Sequence, residues 1–325
     1  MTRPAKRATS VDVARAAGVS QTTVSFVLNN KPGQTIPEET RRRVLEAAKR
    51  LDYRPHASAR ALAAGRSDIV LFSMPYLPIS VSAGRFAEEF ATALAGHGLT
   101  MVAHLAGVHG RSLADVCASV DASALVGLEE FAPDTVSALR RVGVAAVFSL
   151  GGGSAVPDRL IGRLQAEHLI SRGHRRLGYA LPGQRAPRRM ATERLLGMEE
   201  ACTDAGCAPP AALTVDLLTT DAARAVAEWQ AQSVTAVAAY NDETALAVLA
   251  GARARNLTVP GELAVIGVDD IPTATLAVPP LTTIAFDLSH AARHAAEAVA
   301  AALRGGEAQQ PELASRPHVV ERDSA

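Results

Sequence analysis

Gln21, Thr22, Ser25 and Phe26 fall on one side of a helix when the run TSVDVARAAGVSQTTVSFVLN, residues 9–29, is wound at 3.6 residues per turn. Three of the four are short, polar and uncharged. Amide and hydroxyl groups in that arrangement can hydrogen-bond to base edges in a DNA major groove. The rest of the run supplies what such a face needs. Val13, Ala14 and Ala17 give a first helix one apolar side, and Gly18 permits a sharp left-handed turn. Ser20 is a natural N-cap for the second helix. Val24, Val27 and Leu28, at i, i+3 and i+4, give that helix a buried stripe. The bland alternative is an ordinary pair of helices in a core.

Charge favours the first reading. The chain has 325 residues and a formal net charge of zero, unevenly spread. Residues 1–67 hold thirteen Lys/Arg against five Asp/Glu, and all three lysines, Lys6, Lys31 and Lys49. The remainder carries the balancing acidic excess. A basic head on an acidic body suggests a polyanion bound at one end. A third helix follows Pro37, with Glu38 and Glu39 in its first turn and Val44, Ala47, Ala48 and Leu51 on its buried side. Arg41, Arg42 and Arg43 face solvent or phosphate. Beyond Pro55 the stretch HASARALAA, residues 56–64, is helix-capable but too short to stand alone. Its one large apolar side chain, Leu62, suits a wedge between stacked bases in a minor groove. The alternative is a plain linker with Leu62 packed on the next domain.

From residue 68 the pattern changes to alternating strands and helices. Apolar runs at 69–72, 100–103, 124–126 and 144–148 read as buried parallel strands. A second series lies at 177–180, 213–215, 236–239 and 264–266. Amphipathic helices come between, at 85–95, 134–141, 161–171, 192–205, 222–230 and 243–255. Two α/β halves with a crevice between them suit a small molecule.

Three stretches of the head, TSVDVARAAGVSQTTVSFVLN, PEETRRRVLEAAKRLDYRP and ASARALAAGRS, resemble the DNA-binding head and hinge of the LacI/GalR family of transcription repressors. In the body, AEHLISRGHRRLGYA, ERLLGMEEAC, AAYNDETALAVLAGARARNLTVPGELAVIGVDDIP and VPPLTTI resemble the family's effector-binding core, which is similar to periplasmic sugar-binding proteins. The resemblance extends over nearly the whole chain. It implies an all-α helix-turn-helix head at 1–54, a hinge at 55–67 and, at 68–325, an α/β core of two doubly wound parallel-sheet subdomains. By position it places Gln21, Thr22 and Phe26 on bases, and Thr9, Ser20, Thr23, Ser25 and Asn29 on phosphates. It also makes Leu62 the hinge wedge. Phe26 departs from the polar or basic residue common at its position; a thymine methyl would suit it. For the core it implies effector contacts from Arg194, Asn241 and Asp269, with Phe286 and Tyr76 as pocket aromatics. An arginine fork and an aspartate are apt partners for ligand oxygens and hydroxyls. Equally, Asn241 can cap the following helix and Asp269 can brace a turn. The partners so implied are double-stranded operator DNA, a second copy of the chain and a small, sugar-like effector. Two stretches depart from the family. The link from Ser149 to Arg159 is short and lacks the Asp-Asn pair expected before the next helix, and the 111–120 region is abbreviated.

Other patterns point away from enzyme, metal and membrane. Cys117, Cys202 and Cys207 have no ligand spacing and suit a reducing cytoplasm. MTRPAKRATS is charged but is followed by no apolar run, so no signal peptide is expected. Gly151–Gly153 lacks the lysine of a phosphate loop and reads as a turn. His290 and His294, at i and i+4, lack a third metal ligand nearby in sequence. His168, His174 and Trp229 read as packing residues, and no serine sits in a nucleophile elbow. No cofactor is expected. The tail RPHVVERDSA has no leucine heptad, so dimers are expected rather than tetramers. The competing readings are a transported-solute binding protein, which leaves the basic head unexplained, and an α/β enzyme on a DNA-binding head, which lacks a catalytic constellation.

Overall fold

Thr9 sets the start of the first helix. In the computed structural model its hydroxyl accepts from Asp12 N at 3.3 Å while the Asp12 carboxylate accepts from Thr9 N at 2.9 Å. This reciprocal box satisfies two donors that a helix start leaves over. Helix α1 runs Ser10–Ala17 and ends at Gly18, whose φ of 65° is the left-handed conformation expected there. Helix α2, Gln21–Leu28, begins at Ser20, whose Oγ accepts from Thr23 N at 3.1 Å. Helix α3, Glu38–Arg50, opens with Glu38 and Glu39 and closes with Lys49 and Arg50, each sign at the end where the helix dipole favours it. The three helices bury Val13, Ala14, Ala17, Val24, Val27, Val44, Ala47 and Ala48, with Leu28, Leu51 and Tyr53 at the margin. These are the apolar stripes expected from the sequence.

The structure describes residues 8–28, 36–53, 66–75, 80–106, 110–128, 130–150, 158–183, 188–306 and 316–325. The expectations for Asn29, Leu62, Tyr76 and the glycine run 151–153 lie outside these residues. The chain divides into two units, Met1–Asp68 and Ile69–Ala325.

The second unit holds two sheets. The first lobe is built from β1 (Ile69–Pro75), α4 (Val81–Gly96), β2 (Thr100–Ala106), α5 (Leu113–Val120), β3 (Ala124–Gly127), α6 (Pro133–Arg141) and β4 (Ala146–Ser149). Its strands are parallel in the order β2-β1-β3-β4, with Val70 opposite both Met101 and Ala124. The second lobe contains α7 (Asp158–Ser171), β5 (Leu177–Pro182), α8 (Arg188–Asp204), β6 (Ala211–Val215), α9 (Thr219–Ala231), β7 (Ala236–Ala239), α10 (Asp242–Ala254) and β8 (Ala264–Val268). A 3-10 turn at Pro272–Leu276 leads to β9 (Thr282–Ala285). The chain then returns to the first lobe as α11 (Leu288–Leu303), and ends in the second with β10 (His318–Val320).

The second sheet runs β10-β9-β8-β7-β5-β6, and β10 pairs antiparallel with β9, so this sheet is mixed at one edge instead of wholly parallel. Each sheet is covered on both faces. In the first lobe, Phe72, Phe86 and Phe90 pack with Ala292, Ala295, Ala296 and Val299 of α11 on one side. Leu71, Leu125 and Leu139 pack on the other. In the second, α9 and α10 cover one face and α7 and α8 the other. Strands buried on both faces explain why they read as unbroken apolar runs. The abbreviated 111–120 stretch still forms a helix, capped by Ser112 on Asp115 N.

In both sheets the winding reverses beside the first strand, between β1 and β3 and between β5 and β7. Such switch points open a crevice outside the carboxyl ends of the strands, where ligands of doubly wound folds sit.

Candidate functional site

On the head, Gln21 and Thr22 are exposed, whereas Ser25 and Phe26 are half-buried. Gln21 Nε2 donates to Ser10 Oγ at 2.8 Å, which ties this side chain to the start of α1. The hydroxyls of Ser20 and Thr23 lie 2.9 Å apart, and Thr9 Oγ donates to Asp12 Oδ2 at 2.7 Å. Thr9 and Ser20 thus hold the two helix starts, and Gln21 and Thr22 project beyond them. In the third helix Arg42 is clasped by Glu39 at 2.8 Å and Glu46 at 3.3 Å, so its charge is matched within the helix.

In the second unit, the residues of interest gather at the carboxyl ends of strands. Arg194, on α8 after β5, is 3% exposed. Its Nε donates to Asp158 Oδ1 at 2.8 Å, its Nη1 donates to the Tyr240 carbonyl at 2.5 Å, and its Cζ lies 4.8 Å from the Tyr240 ring centroid. Two glycines set the position of α8. A Cβ on Gly162 of α7 would fall 1.7 Å from Arg194 O, and one on Gly197 would fall 1.9 Å from Arg159 O. The helices therefore touch backbone to backbone at both places. Burial pushes the Asp158 carboxyl up, while Arg194 pulls it back. Burial is the largest influence on Arg194 and opposes its charge, but Asp158 together with Tyr240, Asp269 and Tyr179 outweighs it and holds the guanidinium in its charged form.

Asp269 follows β8 with φ of 109° and Asp270 with φ of 49°, a conformation unusual for residues with a side chain. The turn is braced from beneath by Asp242, fully buried, which accepts from Ile271 N at 2.9 Å and from Thr283 Oγ1 at 2.6 Å. Gly267 leaves room for it: a Cβ there would come within 2.1 Å of Asp242 Oδ1. Burial pushes Asp242 up to about 7 against these two hydrogen bonds. Asp269 is pushed up to about 6 by burial, against the pull of Arg194 and the bond from Ser82. That bond, Ser82 Oγ to Asp269 Oδ2, is 2.8 Å long.

Asn241 caps α10. Its Oδ1 accepts from Thr244 N at 3.0 Å and Thr244 Oγ1 at 2.7 Å, and its Nδ2 donates to Glu243 Oε2 at 2.6 Å. Phe286 packs partly buried against the cluster that includes Tyr179, Ile266 and Ile284. Arg194, Tyr240 and Asp269 therefore share one end of the second lobe; Asn241 stands beside them in a capping role, and Phe286 belongs to the packing. Asp158, Ser82, Tyr240, Asp242 and Glu243 were not picked out as site residues from sequence. Asp158 stands where an Asp-Asn pair was missed, and that gap was the one signal available for it.

Elsewhere, the rings of His290 and His294 lie 6.0 Å apart and nearly parallel. Among the described residues no three His, Cys, Asp or Glu side chains converge as for a metal. His168 is buried beside Glu321, and His174 Nδ1 lies 2.9 Å from Thr235 Oγ1. Trp229 is fully buried and donates to the Ala211 carbonyl, so it packs. No helix among the described residues is long and apolar enough to cross a membrane.

A capped helix-turn-helix followed by a two-lobed α/β body defines a class of ligand-responsive DNA-binding regulators. Residues 10–56 match the model for bacterial regulatory proteins of the lacI family, and residues 166–325 match a periplasmic binding protein-like domain. The chain is 30% identical over 307 residues to the HTH-type transcriptional regulator GalR of Escherichia coli, covering 89% of this chain and 88% of GalR. It is 28% identical over 344 residues to the HTH-type transcriptional repressor PurR of Aliivibrio fischeri, covering 98% of each. Among solved structures it is similar to the Lac repressor dimer bound to operator and an anti-inducer (TM-score 0.78, 22% identity, 98% of this chain and 99% of that one). It is also similar to the transcriptional regulator CelR in complex with cellobiose (TM-score 0.69, 26% identity, 98% of this chain and 100% of that one). The chain belongs to the LacI family of bacterial transcriptional regulators, and its relatives are regulators, not enzymes.

Proposed function

We propose that the chain is a cytoplasmic repressor that binds a pseudo-palindromic operator as a dimer and is controlled by a small, hydroxyl-rich effector. The observation that carries this reading is the exposed Gln21–Thr22 edge of a capped α2 in the basic head. The head over 1–54 presents that edge to the major groove, and the hinge over 55–67 follows the minor groove, with Leu62 as its wedge. Thr9, Ser20, Thr23, Ser25 and Asn29 serve the phosphates; Gln21, Thr22 and Phe26 serve the bases. Two-fold DNA calls for a two-fold protein, which supports a dimer. In the core, 68–325, Arg194 and Asp269 are the effector contacts favoured by position. Asn241 acts chiefly by holding α10, Phe286 by packing beneath the site, and Tyr76 completes the candidate set.

Binding to the DNA flanking the chain's own gene, at two salt concentrations and beside random DNA, tests this. Sequence-selective binding that weakens steeply with salt is expected. Leu62→Ala is expected to weaken operator binding more than random-sequence binding. Equal, weak binding to all DNA by the unaltered protein refutes a sequence-reading role.

A further inference from the structure

The two lobes of the core are joined directly across their crevice. The Ser82 hydroxyl of α4 donates to Asp269 beyond β8. Val81 N–H, in the same helix, donates to Glu243 Oε1 of α10 at 2.9 Å. Arg189 of α8 pairs with Glu130, which follows β3.

The Val81 contact is the most telling. Val81 is the first residue of α4, and an amide there has no acceptor within its own helix. Ser80 covers two of its neighbours: its Oγ accepts from Ala83 N and its carbonyl from Gly84 N. The amide of Val81 is left to a carboxylate from the other lobe. The second oxygen of Glu243 accepts from Asn241 Nδ2, and Asn241 caps α10. One carboxylate thus bridges the amino-terminal ends of two helices, one in each lobe, where both dipoles favour negative charge.

We propose that this chain closes its own crevice: Glu243 and Ser82 form a latch that holds the lobes together without an effector. The Ser82 hydroxyl occupies one oxygen of Asp269, an acceptor suited to a ligand hydroxyl. Arg194 is similarly committed, to Asp158 and Tyr240. The latch stands whether or not the crevice takes an effector, so the two ideas fail separately. If an effector does enter, it shares Asp269 with Ser82 or competes with it for that oxygen.

Hydrogen–deuterium exchange of the ligand-free, full-length protein, resolved at the Val81 amide, tests the latch. That amide is expected to exchange at least roughly tenfold more slowly than an unprotected one. Glu243→Ala should remove the protection, while Glu243→Gln, which keeps an acceptor, should retain most of it. Ser82→Ala touches neither atom of the Val81 bond, yet should speed exchange severalfold by loosening the lobes. The amides of Val248 and Leu249 serve as the check that α10 stays folded. Unprotected exchange at Val81 in the unaltered protein, or protection indifferent to Glu243→Ala, overturns the proposal.

Discussion

Replacing Asp158 by alanine should cost the core more than any single change to its surface ion pairs. The Arg194 side chain is 4% exposed and that of Asp158 is 12% exposed. Without Asp158 the guanidinium keeps one carbonyl and one aromatic face, but its direct ion-pair partner is gone and only Asp269, at longer range, still opposes its charge. An arginine cannot escape by losing its proton. Stripping one partner from such a buried pair costs about 3–5 kcal/mol. The exposed Arg159–Glu193 pair is worth at most about 1 kcal/mol. The converse change should be milder. In Arg194→Met the stranded group is a carboxyl already pushed up by burial, and it can take a proton. Its cost should therefore stay below that of Asp158→Ala at pH 5 and grow towards pH 8. The double replacement Asp158→Leu with Arg194→Met should recover much of the loss. Urea unfolding followed through Trp229, the chain's one tryptophan and fully buried in the same lobe, reads all three. A loss under about 1 kcal/mol for Asp158→Ala, or a larger loss for Arg194→Met at pH 5, would refute the reasoning.

Two further outcomes are expected. Gly162→Ala forces α7 and α8 apart at Arg194 and should cost about 1–3 kcal/mol by the same unfolding assay; a neutral result would mean the contact relaxes freely. Asp242 should make stability pH-dependent. Its folded value of about 7 lies above the ordinary carboxylate range, so the folded chain holds a proton that the unfolded chain has released. Its contribution is present below about pH 4 and is lost as the pH rises through about 7, with a slope of up to about 1.4 kcal/mol per pH unit. Asp269, at about 6, adds to the lower part of that window. The stability of the unaltered protein relative to Asp242→Asn should therefore fall between pH 5 and pH 7; a flat or rising difference contradicts the assignment.

The head was legible because its signals are local. Gly18 and Ser20 act within three or four residues of themselves, and the stripes of Val and Ala fix which sides meet; the capping box of Thr9 and Asp12 is equally local but is seen only in the structure. The core strands were legible because burial on both faces leaves no polar interruption, as at Ala236–Ala239 and Ala264–Val268. What escaped depended on distance along the chain. Helix α11 buries mostly alanines, whose small side chains give a weak periodic signal, and its histidines drew attention instead. Arg194 was picked out for a ligand, but its partner Asp158 lies thirty-six residues away, in a link with no matching pattern. Asn241 could cap or bind from the same position, and only the placement of Thr244 and Glu243 shows which atoms are taken. Ser82 meets Asp269, and Val81 meets Glu243, only because two lobes face each other, which no local pattern encodes.

The return of α11 to the first lobe has a consequence for how the chain is made. Phe72, Phe86 and Phe90 emerge from the ribosome early, yet Ala292, Ala295 and Val299, which cover them, are translated some two hundred residues later. Synthesis runs amino-terminus first, so the opening lobe has to wait, with that aromatic face uncovered, until nearly all of the closing lobe has been made. A nascent chain stalled before Leu288 would present that face to solvent and to its neighbours, and would be a natural client for a chaperone that holds apolar surface.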